Sequence, residues 1–391
     1  MSEQFDQVIN RQGTLSLKYE GLQQTFGRAD VQPMWVADMD FAAPDAVTQA
    51  LKARAEHPIY GYSMAPESLY EALIDWMRLK HNWHIQREWI VLTPGVVPSL
   101  SLVVAALTNQ DDGVIVQPPV YFPFLSVANN TGRHLIENPL VLTLDSFGHS
   151  SYQIDFEHFE ACAKQAKILL LCSPHNPVGR VWSQHELQKL LAIAKQHQLI
   201  ILADEIHADL VYPDAQHHVL ATLDLKQDTV ITAVAPSKTF NIPGLGLSAL
   251  IVPHAPYRKA IQAHLTATGV SVTNPFSLVA FEAAYRHGHD WLNALLAYLQ
   301  VTRDTVMDYA NQHLPNITVL PAQGTYLLWL DCRQLGLDDQ LLQQLFLEKA
   351  KLALSPGAMF GKGGSGFMRM NIGTSRKNVL LALDKLKQAL N

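Results

Sequence analysis

Cysteine is scarce in this chain. The three present, Cys162, Cys172 and Cys332, stand far apart among 391 residues with no Cys-x-x-Cys pair. A disulfide framework and a cysteine-based zinc knuckle are therefore not expected, and buried reduced thiols are. Charge is also modest, with 16% of residues Asp, Glu, Lys or Arg and a formal net charge of -6. No basic field exists to draw in a phosphate backbone or an anionic lipid surface, so neither nucleic acid nor membrane is expected as a partner. Long apolar runs are missing too: Leu199–Ala203 is of strand length, far short of a membrane span. The opening residues Met1–Arg11 are polar and carry no apolar signal core, which leads to the expectation of a cytoplasmic protein. No repeat or low-complexity tract stands out. The 17 histidines are scattered, and no metal site is expected.

What the chain does have is apolar material, 48% of its residues, enough for a large core and more than one compact unit. Short apolar runs recur at Ile90–Leu92, Gly113–Gln117, Ile168–Cys172, Leu199–Ala203, Thr229–Val234 and Ala249–Val252. Each is followed by turn residues or a helical pattern, as at Pro98–Thr108 and Ser183–His197, where Ser183 and Glu186 have capping-box spacing. Strand and helix in alternation predict an α/β fold, a mainly parallel sheet flanked by helices. From about Phe276 the alternation gives way to a helical stretch over Pro275–His313. Strand-like Tyr326–Asp331 and Phe367–Ile372 and a closing helix Thr374–Leu390 follow. These predict a smaller α+β domain, residues 281–391, with residues 1–45 packed on it and 46–280 forming the large domain.

Chemistry-bearing residues sit where the strands end, the edge at which open α/β sheets bind ligands. Lys238, in Ala235-Pro-Ser237-Lys238-Thr-Phe-Asn-Ile-Pro-Gly244, follows one strand, and burial there would lower its pKa toward that of a Schiff-base amine. Asp204 directly follows Leu199–Ala203, where a carboxylate needs a partner such as a protonated pyridine nitrogen. Asn176, in Cys172-Ser-Pro-His-Asn-Pro-Val-Gly-Arg180, offers an amide to a phenolic oxygen. Thr93-Pro-Gly95-Val96-Val97 opens a helix whose N–H groups can hold a phosphate. Tyr121, in Pro118-Pro-Val-Tyr-Phe-Pro-Phe124, can stack on a flat ring. Taken singly these admit plain readings: a loop lysine, an N-cap aspartate, a turn, a helix start, a core tyrosine. Their conjunction along one edge points to pyridoxal phosphate as cofactor.

With these motifs in place, the chain resembles the fold-type I pyridoxal-phosphate enzymes of the aminotransferase class I/II group over nearly its whole length. Met34-Trp-Val-Ala37-Asp-Met-Asp-Phe41, Tyr60-Gly-Tyr62, Thr93-Pro-Gly-Val-Val97 and Asp204-Glu-Ile-His207-Ala-Asp209-Leu210 most resemble the MalY/PatB-type cystathionine β-lyases. The resemblance implies that Lys238 carries the cofactor and moves the substrate Cα proton. Asp204 would pair with the pyridine nitrogen, Asn176 with the ring hydroxyl, and Tyr121 would stack on the ring. Gly95, Val96, Val97 and Ser237 would hold the phosphate, joined by Tyr62, or its neighbour Tyr60, of the partner subunit in a homodimer. Arg369, in Phe367-Met-Arg-Met-Asn-Ile-Gly373, would bind the α-carboxylate of an amino-acid substrate, with Ala37 and Tyr60 beside it.

Two positions depart from the common aminotransferase pattern. An arginine often stands eight residues after the lysine, but here the residue is Gly246, and the tyrosine often found three after the aspartate is His207. The phosphate would then be held less by charge and more by amides and hydroxyls. Both departures are shared with the β-lyase branch, so the resemblance implies β-elimination of a thiolate from cystathionine or related S-substituted cysteines, giving a thiol, pyruvate and ammonia within sulfur amino-acid and methionine metabolism. An aminotransferase shares every one of these motifs and is the alternative, followed by a regulatory binding protein that retains the fold.

Overall fold

The computed structural model describes residues 3–144 and 150–391. Its central sheet has seven strands among the described residues, in the spatial order Ile90–Thr93, Ser248–Ile251, Val230–Val234, Ile200–Asp204, Ile168–Cys172, Gly113–Val116 and His134–Glu137. All but the His134–Glu137 edge strand are buried along their whole length, which is why they read as unbroken apolar runs. One strand departs from a parallel arrangement. Ser248–Ile251 runs antiparallel to both of its neighbours. It follows Val230–Val234 through the Lys238 loop, without the long crossover helix that a parallel return requires.

The capping box forms as the spacing predicts, with the Glu186 N–H donating to Ser183 Oγ at 3.2 Å and the Ser183 N–H to Glu186 Oε2 at 2.8 Å. The helix expected over Pro98–Thr108 begins slightly earlier, spanning Val96–Leu107. The stretch read as one helix over Pro275–His313 is two, Pro275–His287 and His289–His313, parted at Gly288. Gly288 has no room for a side chain: a Cβ there would lie 2.2 Å from Phe240 Cε1. Gly288→Ala is therefore expected to lower stability by about 1–3 kcal/mol, as overpacking does, read from the denaturation midpoint.

A second, four-stranded antiparallel sheet has the order Thr318–Val319, Leu327–Asp331, Phe367–Asn371, Ser355–Pro356. The opening segment is woven into this part of the chain: Gln32–Pro33 pairs in parallel with Leu352–Ala353, and the Asn371 N–H donates to Met34 O at 2.9 Å. Arg11 donates to Asp38 and Asp40, and buried Lys18 to Asp40 at 3.0 Å, a matched set of charges that offsets the cost of burial. Among the described residues no helix is long and apolar enough to cross a membrane.

Candidate active site

Six strands of the central sheet point the same way, so the segments after Thr93, Val116, Cys172, Asp204 and Val234 emerge at one edge, where the antiparallel strand begins at Ser248. The first of these segments enters the helix Val96–Leu107 through Gly95, which turns the free N–H groups of the first helical turn toward this edge. Ser99 Oγ donates to Gly95 O at 2.8 Å, and Thr93 Oγ1 lies 2.7 Å from Ser248 Oγ, stitching this loop to the antiparallel strand. Gly246 has φ +50°, a left-handed conformation that favours glycine. The missing arginine thus coincides with a backbone that disfavours any side chain.

These loops enclose a cavity of about 200 Å³. Its wall includes Gly95, Val96, Val97 and Ser237, and with them Tyr121, Asn176, Asp204, His207, Lys238 and Ala37. Arg369 lies behind this wall, donating from Nη1 to Asn176 Oδ1 at 3.0 Å and from Nη2 to Trp35 O and Ser355 Oγ at 2.8 and 3.1 Å. Tyr60 and Tyr62 are exposed and do not line the cavity of their own chain; the Tyr60 hydroxyl donates to Ala55 O at 3.0 Å.

Burial sets the electrostatics. Lys238 Nζ donates to Ala37 O at 2.6 Å, and desolvation pulls its pKa down to about 8. Asp204 accepts from the Ile206 N–H at 3.1 Å, yet burial pushes its carboxyl up to about 7. His207 falls to about 3 for the same reason, which keeps the ring neutral, and its Nδ1 is buried without a partner among the described residues. Burial raises the Tyr121 phenol. Arg369 is drawn down to about 10 by burial and stays charged at neutral pH; its Nε is likewise buried and unpaired. A buried guanidinium with an unsatisfied donor favours an anionic partner.

Several contributors went unassigned in the sequence. The Tyr326 hydroxyl donates to Ala37 O at 2.9 Å, from a segment that the sequence marks only as strand-like. Asn241 Nδ2 donates to Met39 O and Phe41 O at 2.9 and 2.7 Å, and Asn371 Nδ2 to Val36 O and Asp38 O at 2.5 and 2.7 Å. Both asparagines stand inside the motifs around Lys238 and Arg369, and that position was their only signal. Cys172, Ile206 and Leu247 also line the cavity, as apolar strand-end neighbours would.

Residues 34–386 match the family described as aminotransferase class I and II. Cystathionine beta-lyase PatB of Bacillus subtilis is 41% identical over 390 residues, which cover 99% of this chain and 100% of that one. Among solved structures, cystalysin from Treponema denticola, which contains a pyridoxal 5'-phosphate cofactor, superposes with a TM-score of 0.94 at 34% identity, covering 99% and 98% of the two chains. The PLP-bound C-S lyase from Staphylococcus hominis does so with a TM-score of 0.90 at 30% identity over the same shares. With a family match that spans most of its length and a full-length relative at this identity, the chain belongs to the aminotransferase class I and II family.

Proposed function

We propose that this protein is a pyridoxal-phosphate-dependent carbon–sulfur β-lyase that cleaves cystathionine and related S-substituted cysteines to a thiol, pyruvate and ammonia. The observation that carries the reading is the meeting of Lys238, Asp204 and Asn176 about one cavity, with Arg369 bonded to Asn176 behind its wall, in a chain whose 41%-identical relative is a cystathionine β-lyase. The donor set suits the cofactor: a buried amine with a lowered pKa, an acid across the same cavity, an aromatic ring in its wall, and helix N–H groups with a serine hydroxyl for a phosphate.

When bound, pyridoxal phosphate supplies an electron sink for negative charge at the substrate Cα. Arg369 binds the substrate α-carboxylate through its buried guanidinium, so the amino acid enters in one orientation. Lys238, once its amine is free, takes the Cα proton, and a pKa of about 8 suits a base that works near neutral pH. The Ala37 carbonyl, 2.6 Å from Nζ, accepts from the resulting ammonium and steadies it. Asp204 would hold a proton at the pyridine nitrogen, Asn176 would bond the ring hydroxyl, and Tyr121 would lie against the ring. Gly95, Val96, Val97 and Ser237 would hold the phosphate, and neutral His207 adds no charge beside Asp204. A thiolate leaves from Cβ, and hydrolysis of the remainder gives pyruvate and ammonia.

The test is pyruvate release from cystathionine by the purified holoenzyme with no keto acid added; strict dependence on a keto acid would make it an aminotransferase. Arg369→Lys is expected to raise KM for cystathionine by about 10²-fold, since an ammonium cannot reproduce the guanidinium's fork or satisfy Asn176, Trp35 and Ser355 together. Steady-state kinetics read this directly.

The reading extends to a cytoplasmic homodimer in sulfur amino-acid metabolism, with large and small domains at residues 46–280 and 1–45 plus 281–391. Exposed Ile59, Tyr60, Tyr62 and Met64 form an apolar run that supports pairing with a second copy, whose phosphate Tyr60 or Tyr62 would reach. A stable, active monomer on gel filtration would remove the dimer from this picture.

A further inference from the structure

We propose that Asp209 is a positioning residue for Lys238, acting through the hydroxyl of Thr239. The inference rests on Lys238 being the cofactor lysine. Asp209 lies within the Asp204–Leu210 motif but stands outside the cavity wall, so the functions assigned above leave it unexplained. It is buried, and both carboxylate oxygens are engaged. Oδ1 accepts from Trp76 Nε1 at 3.0 Å and lies 2.8 Å from His81 Nε2, while Oδ2 accepts from Thr239 Oγ1 at 2.8 Å. Burial alone would raise this carboxyl; the bonds from His81, Thr239 and Trp76 outweigh it and hold it below its usual range.

Trp76 and His81 lie on the helix Glu67–His81, Asp209 just past the strand Ile200–Asp204, and Thr239 on the single helical turn Pro236–Thr239. One carboxylate thus ties three elements together at the turn that carries the lysine. Successive residues of a helical turn point about 100° apart. Lys238 accordingly faces the cavity while Thr239 is fully buried behind it. A bond to Thr239 fixes the rotation of the turn about its own axis. Nζ sits at the tip of a side chain roughly 6 Å long, so a rotation of about 10° displaces it by about 1 Å. A misplacement of about 1 Å at a reacting group is enough to cost about 10²-fold in rate. If packing were the only requirement, an aliphatic residue would meet it without the desolvation that a buried carboxylate entails.

The experiment uses holoenzyme variants Thr239→Val and Thr239→Ser, with Lys238→Ala as control. It reads kcat and KM for cystathionine, the melting temperature, and the pH midpoint of the cofactor's visible absorbance. Thr239→Val is expected to lower kcat about 10- to 100-fold with KM within about threefold of the parent, and to shift the absorbance midpoint; Thr239→Ser restores both. Asp209→Asn is expected to follow Thr239→Val, and if that variant does not fold, the threonine pair decides alone. An unchanged kcat and midpoint in Thr239→Val would overturn the proposal, and so would equal losses in Val and Ser variants accompanied by lower melting temperatures. The control separates the two readings. Cofactor absorbance unchanged in Lys238→Ala removes the assignment of the lysine itself, whereas absorbance altered there with a silent Thr239→Val removes only the positioning role.

Discussion

Lys238→Ala is expected to lower pyruvate release from cystathionine by at least about 10³-fold, because under the proposed function the variant loses both the amine that would carry the cofactor and the base that would take the Cα proton. The loss is not one of folding. In the cofactor-free protein the lysine is a buried amine whose pKa is pulled from its usual value near 10.5 to about 8, so folding meets the full cost of burying its charge below about pH 8. Between pH 8 and 10.5 the unfolded chain still binds a proton that the folded one has shed, and stability recovers as the pH rises. The alanine variant should therefore melt at least as high as the parent apoprotein at pH 7, with its advantage shrinking above pH 8. Thermal melts at several pH values, run beside the activity assay, check both halves. An alanine variant that keeps its activity would dismantle the mechanism.

Asp204→Asn is expected to reduce kcat by about 10²- to 10³-fold, the usual cost of removing one preorganised electrostatic partner, while the cofactor stays attached through Lys238. Its effect on the apoprotein has the opposite sign. The Asp204 carboxyl titrates at about 7 in the fold, against 3.8 when unperturbed. Between those values the unfolded chain has lost a proton that the folded chain keeps, so the stabilising contribution is full below about pH 4 and gone above about pH 7. Asparagine does not titrate. The difference in melting temperature should accordingly move in favour of the variant as pH rises from 4 to 7, then level off. A flat difference across that window would mean that the carboxyl is not held protonated in the apoprotein.

Those residues were legible because the chemistry of an open α/β sheet collects at strand ends, and strand ends follow from apolar runs. Lys238, Asp204, Asn176, Tyr121 and the Gly95 loop all come from segments that follow such runs, and all of them line one cavity. The rest depends on parts of the chain distant in sequence. Nothing local marks Tyr326 as a donor to Ala37, or Ser355 and Trp35 as partners of Arg369, since each contact joins segments that periodicity treats separately. The break at Gly288 was hidden because the apolar pattern runs through it, and the ring of Phe240 that leaves no room for a side chain there comes from another element. The reversed strand Ser248–Ile251 was equally silent: a buried run reads the same in both directions.

Asn371 Nδ2 holds the carbonyls of Val36 and Asp38, and Gln32–Pro33 pairs with Leu352–Ala353, so the first tenth of the chain is anchored by the last. On the ribosome these partners emerge far apart in time. Every strand of the central sheet lies between Ile90 and Ile251 and can assemble while the remainder is still being translated. The segment that brings Ala37 against Lys238 meets Asn241 and Tyr326 earlier but gains its Asn371 bonds only when Phe367–Asn371 emerges, so a nascent chain halted before Phe367 would carry a folded sheet whose Ala37 segment lacks that final tie.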